Sequence, residues 1–205
     1  MFVTSEPAVV VAACGGKIVY DEITSSCLVL DPIEQRWDEN RMGSLTRGRW
    51  YGALTQLKDI GVYYIGGFDR EGTGADRTSD FLASGSLQWQ QGPALPVSMD
   101  NHNGGVCAVT ISSTSFLTVV QNKIHEFDSS IAGPTSNKGW RESTRWPTLK
   151  TSRSAQPGCA RIGNKVIITG GLNGRKLRST EILDLTPFRL VETWHRREFT
   201  SNLQH

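Results

Sequence analysis

Short apolar runs recur along the chain, each too brief for a helix and each closed by a turn signal. VVVAAC, VYYI and VIIT all run into a Gly-Gly pair, at Gly15-Gly16, Gly66-Gly67 and Gly170-Gly171. These runs are apolar at consecutive positions, the pattern of strands covered on both faces by neighbouring layers. A second set follows each run after a polar loop: CLVLDP, DFLASG, KIHEFD and TEILDL. A Trp then opens a third strand, and a link rich in Pro or Arg leads to a fourth: WYGALTQL, GGVCAVTI and PGCARIG. No stretch of ten or more residues carries apolar positions at helical spacing. Four short strands in about 50 residues predict an all-β chain.

The signals are periodic. Gly15 to Gly66 is 51 residues and Gly66 to Gly170 is 104, so one intervening copy lacks its glycines near residue 118, where SFLTVV still reads as a strand. Trp37, Trp89, Trp140 and Trp194 are spaced by 52, 51 and 54, while Trp50 and Trp146 fall off this beat. Two markers sharing one period define an internal repeat. The units run over about residues 8–45, 46–97, 98–150 and 151–200. Gly-Gly supplies positive φ and close backbone approach. Each repeat Trp is expected to act as a buried wedge between units.

The glycine pairs, the Trp positions and the strand-end Asp31, Asp128 and Asp184 together resemble the kelch repeat, over about residues 8 to 195. The third unit departs from it by lacking Gly-Gly. The resemblance implies a β-propeller with one four-stranded antiparallel blade per unit. Four blades are fewer than the six common in that family. The chain also starts almost inside the second strand of the first unit. The expectation is an incomplete ring, closed by further blades or by a second copy of the chain.

The resemblance further implies a protein-protein interaction module that binds through the loops of one face. A substrate receptor of a ubiquitin-ligase adaptor and a cytoskeletal, actin-binding scaffold are both of this kind. The loops in question carry Lys17, Asp69, Arg70, Arg175 and Lys176, and the links carry Arg47, Arg49, Trp50, Asn101, His102, Arg153 and Ser154. Arg49, Asn101 and Arg153 are spaced by 52 and 52, hence in equivalent places. Guanidinium groups around one mouth would suit an acidic peptide, because they bind carboxylates bidentately. The same arginines could instead bond carbonyl groups within the links.

Composition narrows the alternatives. A net charge of +2 offers no footprint for nucleic acid. No apolar run approaches the ~20 residues of a membrane span. Met1 to Pro7 lacks the basic start and apolar core of a signal peptide; the compartment is left open, with the cytoplasm slightly favoured. No cofactor or metal site is expected, since CxxC, HxxxH, HExxH, GxSxG and P-loop patterns are absent. A propeller oxidase would need two converging His. His102, His125, His195 and His205 do not converge by repeat position. A propeller glycosidase would need two placed carboxylates. Asp31, Asp128 and Asp184 read as turn residues, and Asp69, Glu71, Asp76 and Asp80 as a solvated loop. The chain is therefore expected not to be an enzyme.

The cysteines bear on compartment. Cys14 and Cys27 flank a twelve-residue stretch between two strands that should pair, so they stand either as a disulfide or as two buried thiols. A bond would favour an extracellular kelch module. Cys107 and Cys159, 52 apart in two different units, are expected not to bond.

Overall fold

A computed structural model describes residues 11–18, 22–68, 77–97, 105–131, 139–141 and 143–186. The described chain is all-β, with one short 3-10 turn at Ser143–Arg145. Its strands form four separate antiparallel sheets, in chain order. Sheet one holds β1 (Ala12–Cys14), β2 (Cys27–Asp31) and β3 (Arg36–Asp38). Sheet two holds β4 (Ala53–Leu57), β5 (Gly61–Ile65), β6 (Ser79–Ala83) and β7 (Gln90–Gln91). Sheet three holds β8 (Val106–Thr110), β9 (Ser115–Val120), β10 (Lys123–Asp128) and β11 (Trp140–Arg141). Sheet four holds β12 (Ala155–Ile162), β13 (Lys165–Leu172) and β14 (Thr180–Asp184). Each sheet is a meander in which sequence neighbours pair, and none closes on itself, an arrangement compatible with a propeller. Sheets two and three have the expected four strands, and the first and last sheets have three among the described residues, the remaining parts of those units lying outside them.

The double-sided apolar runs are explained by stacking. Alternation along each strand sends odd and even positions to opposite sheet faces, and both faces of the middle sheets are covered. Cys27 of sheet one packs with Leu45 and Tyr64. Tyr63 and Ile65, on the other face of sheet two, pack with Val106, Phe116, Val120 and Phe127 of sheet three. Leu117, Val119 and Ile124, on the reverse of sheet three, pack with Val166, Ile168 and Leu183 of sheet four. Each fully buried side chain of this kind contributes roughly 1.5–3 kcal/mol.

The tryptophans divide by position in the stack. Trp89 packs on the cluster that joins sheets one and two, and Trp140 on the one that joins sheets two and three. Each therefore wedges back towards the preceding sheet. Trp37 is the exception to the buried-wedge expectation: it is 48% exposed. It lies on the first sheet, where no described sheet precedes it. Trp146, off the beat, is buried among sheets three and four and donates from Nε1 to Glu126, 2.9 Å away. Trp194 lies outside the described residues.

The unit without Gly-Gly is resolved by backbone conformation. Gly15, Gly66 and Gly170 sit at φ of +67°, +64° and +65°. The residue following the corresponding strand of sheet three is Gln121, at φ +57°. It is three positions beyond the site the spacing suggests. The long loop of the other units shrinks there to a tight turn between Val120 and Lys123, which are paired.

All four cysteines stand in disulfides. Cys14 and Cys27 are direct cross-strand partners, with Cα atoms 4.0 Å apart. Cys107 and Cys159 are also bonded, with Cα atoms 5.8 Å apart, against the expectation drawn from their spacing. The reason is geometric. Equivalent positions on the first strands of successive units lie far apart in sequence but adjacent in space, because β8 and β12 pack against each other where their sheets converge.

Candidate functional site

The links and the loops after the glycines lie together at one end of the strands, through the pairings of Trp50 with Phe68, Gln121 with Arg153, and Leu172 with Lys176. Arg49 and Arg153, expected as partner-facing groups around a mouth, are instead completely buried. Arg49 Nη1 donates to the carbonyls of Thr78 at 3.0 Å and Gly66 at 3.3 Å, and Nη2 lies 2.9 Å from Thr78 Oγ1 and 3.1 Å from Asp80 Oδ2. Arg153 repeats the design. Nη1 donates to the carbonyls of Gly170 and Ser179, and Nη2 lies 3.2 Å from Glu181 Oε1. Each arginine reaches the carbonyl of the first glycine of a pair 17 residues on. Link, glycine turn and second-strand acid are thereby tied together. A buried guanidinium is tolerable only with such partners. Asp80 also accepts from the Thr46 backbone N–H and hydroxyl, which fixes the start of the link. Asp80 belongs to this clamp and not to a solvated loop.

Ser154, another expected contact, is half-buried and donates from Oγ to the Leu172 carbonyl at 2.8 Å, a bond that holds β12 to β13. Arg47 is exposed. Asn101 and His102 lie outside the described residues, as do Asp69, Arg70, Glu71, Asp76, His195 and His205.

Trp50 is the expected residue that does form a surface feature. Its ring lies 4.1 Å from that of Tyr51 and 5.7 Å from that of Phe68. Lys17 Nζ sits 5.0 Å from the Trp50 ring, a cation–π distance. Tyr51 is 41% exposed and held at φ +59°, a left-handed conformation that a bulky side chain rarely adopts. Reciprocal backbone hydrogen bonds between Trp50 and Phe68 fix the strand entry beneath it. The packing of Gly67 keeps this turn tight, since a Cβ there would meet the Trp50 carbonyl at 2.6 Å. The result is an aromatic platform with a cationic edge, on the loop end where sheets one and two meet. Sequence reasoning picked out Trp50 and Lys17 but missed Tyr51. The adjacent aromatic pair after Arg49 was the available signal.

At the opposite end of the first strands, Gln56, Lys58, Thr110, Ile111, Ser112, Ser113 and Arg161 line a shallow, open cleft. Arg161 is tied to the carbonyls of Gly163 and Ile111.

Several ionisable groups outside this platform hold turns and strands. The Oδ1 atoms of Asp31, Asp128 and Asp184 each accept a hydrogen bond from the backbone N–H two residues on. Backbone bonds from Glu34 and Ile33 hold the Asp31 carboxyl below its ordinary pKa. For Asp184 the bonds from Thr186 do the same. Glu126 gathers Arg145 at 3.0 Å and the Trp146 indole. His125 is buried opposite Thr118, and its pKa is lowered to about 4, by burial first and then by Lys123. It occupies the strand position that is Asp80 in sheet two and Glu181 in sheet four. Among the described residues no group of three or more His, Cys, Asp or Glu is placed to hold a metal ion, and no helix is long and apolar enough to cross a membrane. No family model matches the chain, and no curated protein is significantly similar to it.

Proposed function

We propose that this chain is a stretch of kelch-type propeller that recognises another protein through its loop end, with Tyr51, Trp50 and Lys17 as the contact centre. The observation that carries this is the exposed Tyr51 ring in close tilted contact with Trp50, with the Lys17 ammonium beside it. Tyr and Trp are the side chains that most often anchor interfaces, since they bury large rigid area at small entropic cost. The exposed cations Lys17 and Arg47 favour a partner segment carrying carboxylates. Arg49 and Arg153 act in this reading only by holding the links in place.

The test is selection of peptides from a random displayed library against the oxidised chain. Acidic peptides should be enriched, and binding should fall by about tenfold or more in Tyr51→Ala and Lys17→Glu. Ile33→Ala, at an exposed position on a different turn, should leave binding unchanged. Equal binding by all three variants would overturn the assignment of the face.

A second observation bears on where this happens. Two disulfides, one within a sheet and one between sheets, favour an oxidising compartment over a ubiquitin-ligase adaptor in a reducing one. The prediction is that alkylation of the native protein without reductant labels none of the four cysteines. Labelling of all four would restore the cytoplasmic reading.

A further inference from the structure

At the end of the strands opposite the aromatic platform, three consecutive sheets bring their first hairpins together around one open cleft of about 520 Å³. That volume lies within the range of small-molecule sites, roughly 300–1,000 Å³. Sheet two contributes Gln56 from β4 and Lys58 from the turn that follows it. Sheet three contributes Thr110 from the end of β8, with Ser112 and Ser113 from its turn. Sheet four contributes Arg161 from β12. Ile111 is the one apolar member, and no lining residue is acidic. Asp59 adjoins Lys58 on its turn without lining the cleft.

The walls of the cleft are tied across the sheets. Thr110 Oγ1 donates to the Gln56 carbonyl, which joins sheet three to sheet two. Arg161 donates from Nη1 to the Ile111 carbonyl, which joins sheet four to sheet three, and from Nε to the Gly163 carbonyl at 2.8 Å. The Cys107–Cys159 disulfide fastens the same two first strands, β8 and β12, further along. The Ser112 hydroxyl accepts from the Thr114 N–H at 3.2 Å and shapes the turn. Four donors are left over: Arg161 Nη2, Lys58 Nζ, the Gln56 amide and the Ser113 hydroxyl. None of these bonds to another described residue. A frame fixed before a ligand arrives lowers the ordering cost of binding.

We propose that this cleft binds a small polyol carrying a sulfate or phosphate monoester. A cleft lined by one sign of charge concentrates ions of the other. Its two cations come from different sheets, sheet two and sheet four, which suits the non-coplanar oxygens of a tetrahedral oxyanion. A carboxylate is matched instead by one planar guanidinium fork, and Arg161 commits the Nε–Nη1 edge of its fork to carbonyls. An oxyanion alone fills only part of the cleft, and the Gln56 amide and Ser113 hydroxyl supply neutral partners for hydroxyl groups beyond it. No aromatic ring lines the cleft, so a nucleobase would find no stacking partner. This site is independent of the proposed protein-binding site, which lies at the other end of the strands.

The experiment is isothermal titration calorimetry of the oxidised chain in low-salt Tris chloride buffer, with glucose 6-sulfate, glucose 6-phosphate, glucose and inorganic sulfate as probes. At least one ester should bind, with glucose and inorganic sulfate each weaker by about tenfold or more. The tighter ester identifies the oxyanion the cleft prefers, and equal affinities define a site that takes either. Lys58→Glu changes an exposed side chain with no protein partner among the described residues. It should weaken the ester by about tenfold or more and leave the urea midpoint unchanged. Lys176→Glu, the same charge change at an exposed position on the loop end, should leave ester binding unchanged. Absence of binding by both esters would overturn the proposal. So would glucose or inorganic sulfate binding as tightly as the ester, an unchanged affinity in Lys58→Glu, or equal losses in Lys58→Glu and Lys176→Glu.

Discussion

The Arg49–Asp80 clamp gives the sharpest quantitative prediction. Both side chains are completely buried and 3.1 Å apart, and the guanidinium has three further partners: the carbonyls of Gly66 and Thr78 and the Thr78 hydroxyl. Asp80→Ala leaves a buried cation without its counter-charge. Breaking one side of such a pair costs about 3–5 kcal/mol, because the remaining charge is desolvated and uncompensated. For a chain of this length that lowers Tm by roughly 6–20 °C. Arg49→Met should cost a similar amount, since it strands Asp80 and also removes the donors to two carbonyls. The double variant Arg49→Met/Asp80→Leu should lose less than the sum of the two singles, with a coupling of about 1–3 kcal/mol. Urea unfolding under oxidising conditions, followed by tryptophan fluorescence, measures all three. Single-variant losses below about 1 kcal/mol, the range of exposed ion pairs, would refute the claim that this pair is dry and essential to the link.

Three further outcomes follow from the same structure. Cys107→Ser/Cys159→Ser, which opens a loop with a separation of 52 residues, should destabilise by about 4 kcal/mol, against about 3 kcal/mol for Cys14→Ser/Cys27→Ser with its separation of 13; urea midpoints of the two variants test the order. His125 is buried neutral with its folded pKa depressed to about 4, so the unfolded chain binds the extra proton between pH 6.5 and about 4 and stability falls through that window on acidification, by up to about 3 kcal/mol. His125→Gln should flatten that part of the stability–pH curve, and an unchanged slope would show that His125 is solvated. Gly170→Ala, at φ +65° with open space around the new methyl group, should cost about 1 kcal/mol, whereas Gly67→Ala, at φ +93° and 2.6 Å from the Trp50 carbonyl, should cost clearly more; thermal melts of the pair compare them.

The strands and their order were legible because the signals behind them are local. VYYI and VIIT, the Asp-closed second strands and the off-period Trp50 all reflect pleat, turn or patterning within a few residues. What failed to read through was the outcome of stacking. Equal spacing predicts that Cys107 and Cys159 lie apart, yet in a stack of repeats it is equal spacing that brings first strands together. Likewise the 52-residue beat of Arg49 and Arg153 marks a shared role, but nothing in a single sequence tells whether that role points outwards or inwards. The acids that draw both arginines inwards, Asp80 and Glu181, lie 31 and 28 residues further along and on the neighbouring strand. Trp37 carries the same sequence mark as Trp140 and differs only in having no described sheet before it.

The third unit shows how these features depend on one another. Gly66 and Gly170 adopt positive φ and direct their carbonyls to a buried Arg, which in turn needs a carboxylate on the second strand. In the third unit all three elements change together. Gln121 holds the left-handed position, His125 replaces the acid, and Asn101 stands at the repeat position of the arginine. A glycine pair followed by a long loop leaves a carbonyl that a distant donor must satisfy. A tight turn between Val120 and Lys123 lets the backbone satisfy itself, through the Arg153 N–H donating to the Gln121 carbonyl and the Leu149 N–H to that of Asn122. With no carbonyl left to clamp, a buried guanidinium would have too few partners, and with no guanidinium a buried carboxylate would be uncompensated. A neutral imidazole at His125 is compatible with that simplified turn. The missing glycines are therefore the visible part of a coordinated change in which one unit exchanges an ion-paired loop for a hairpin.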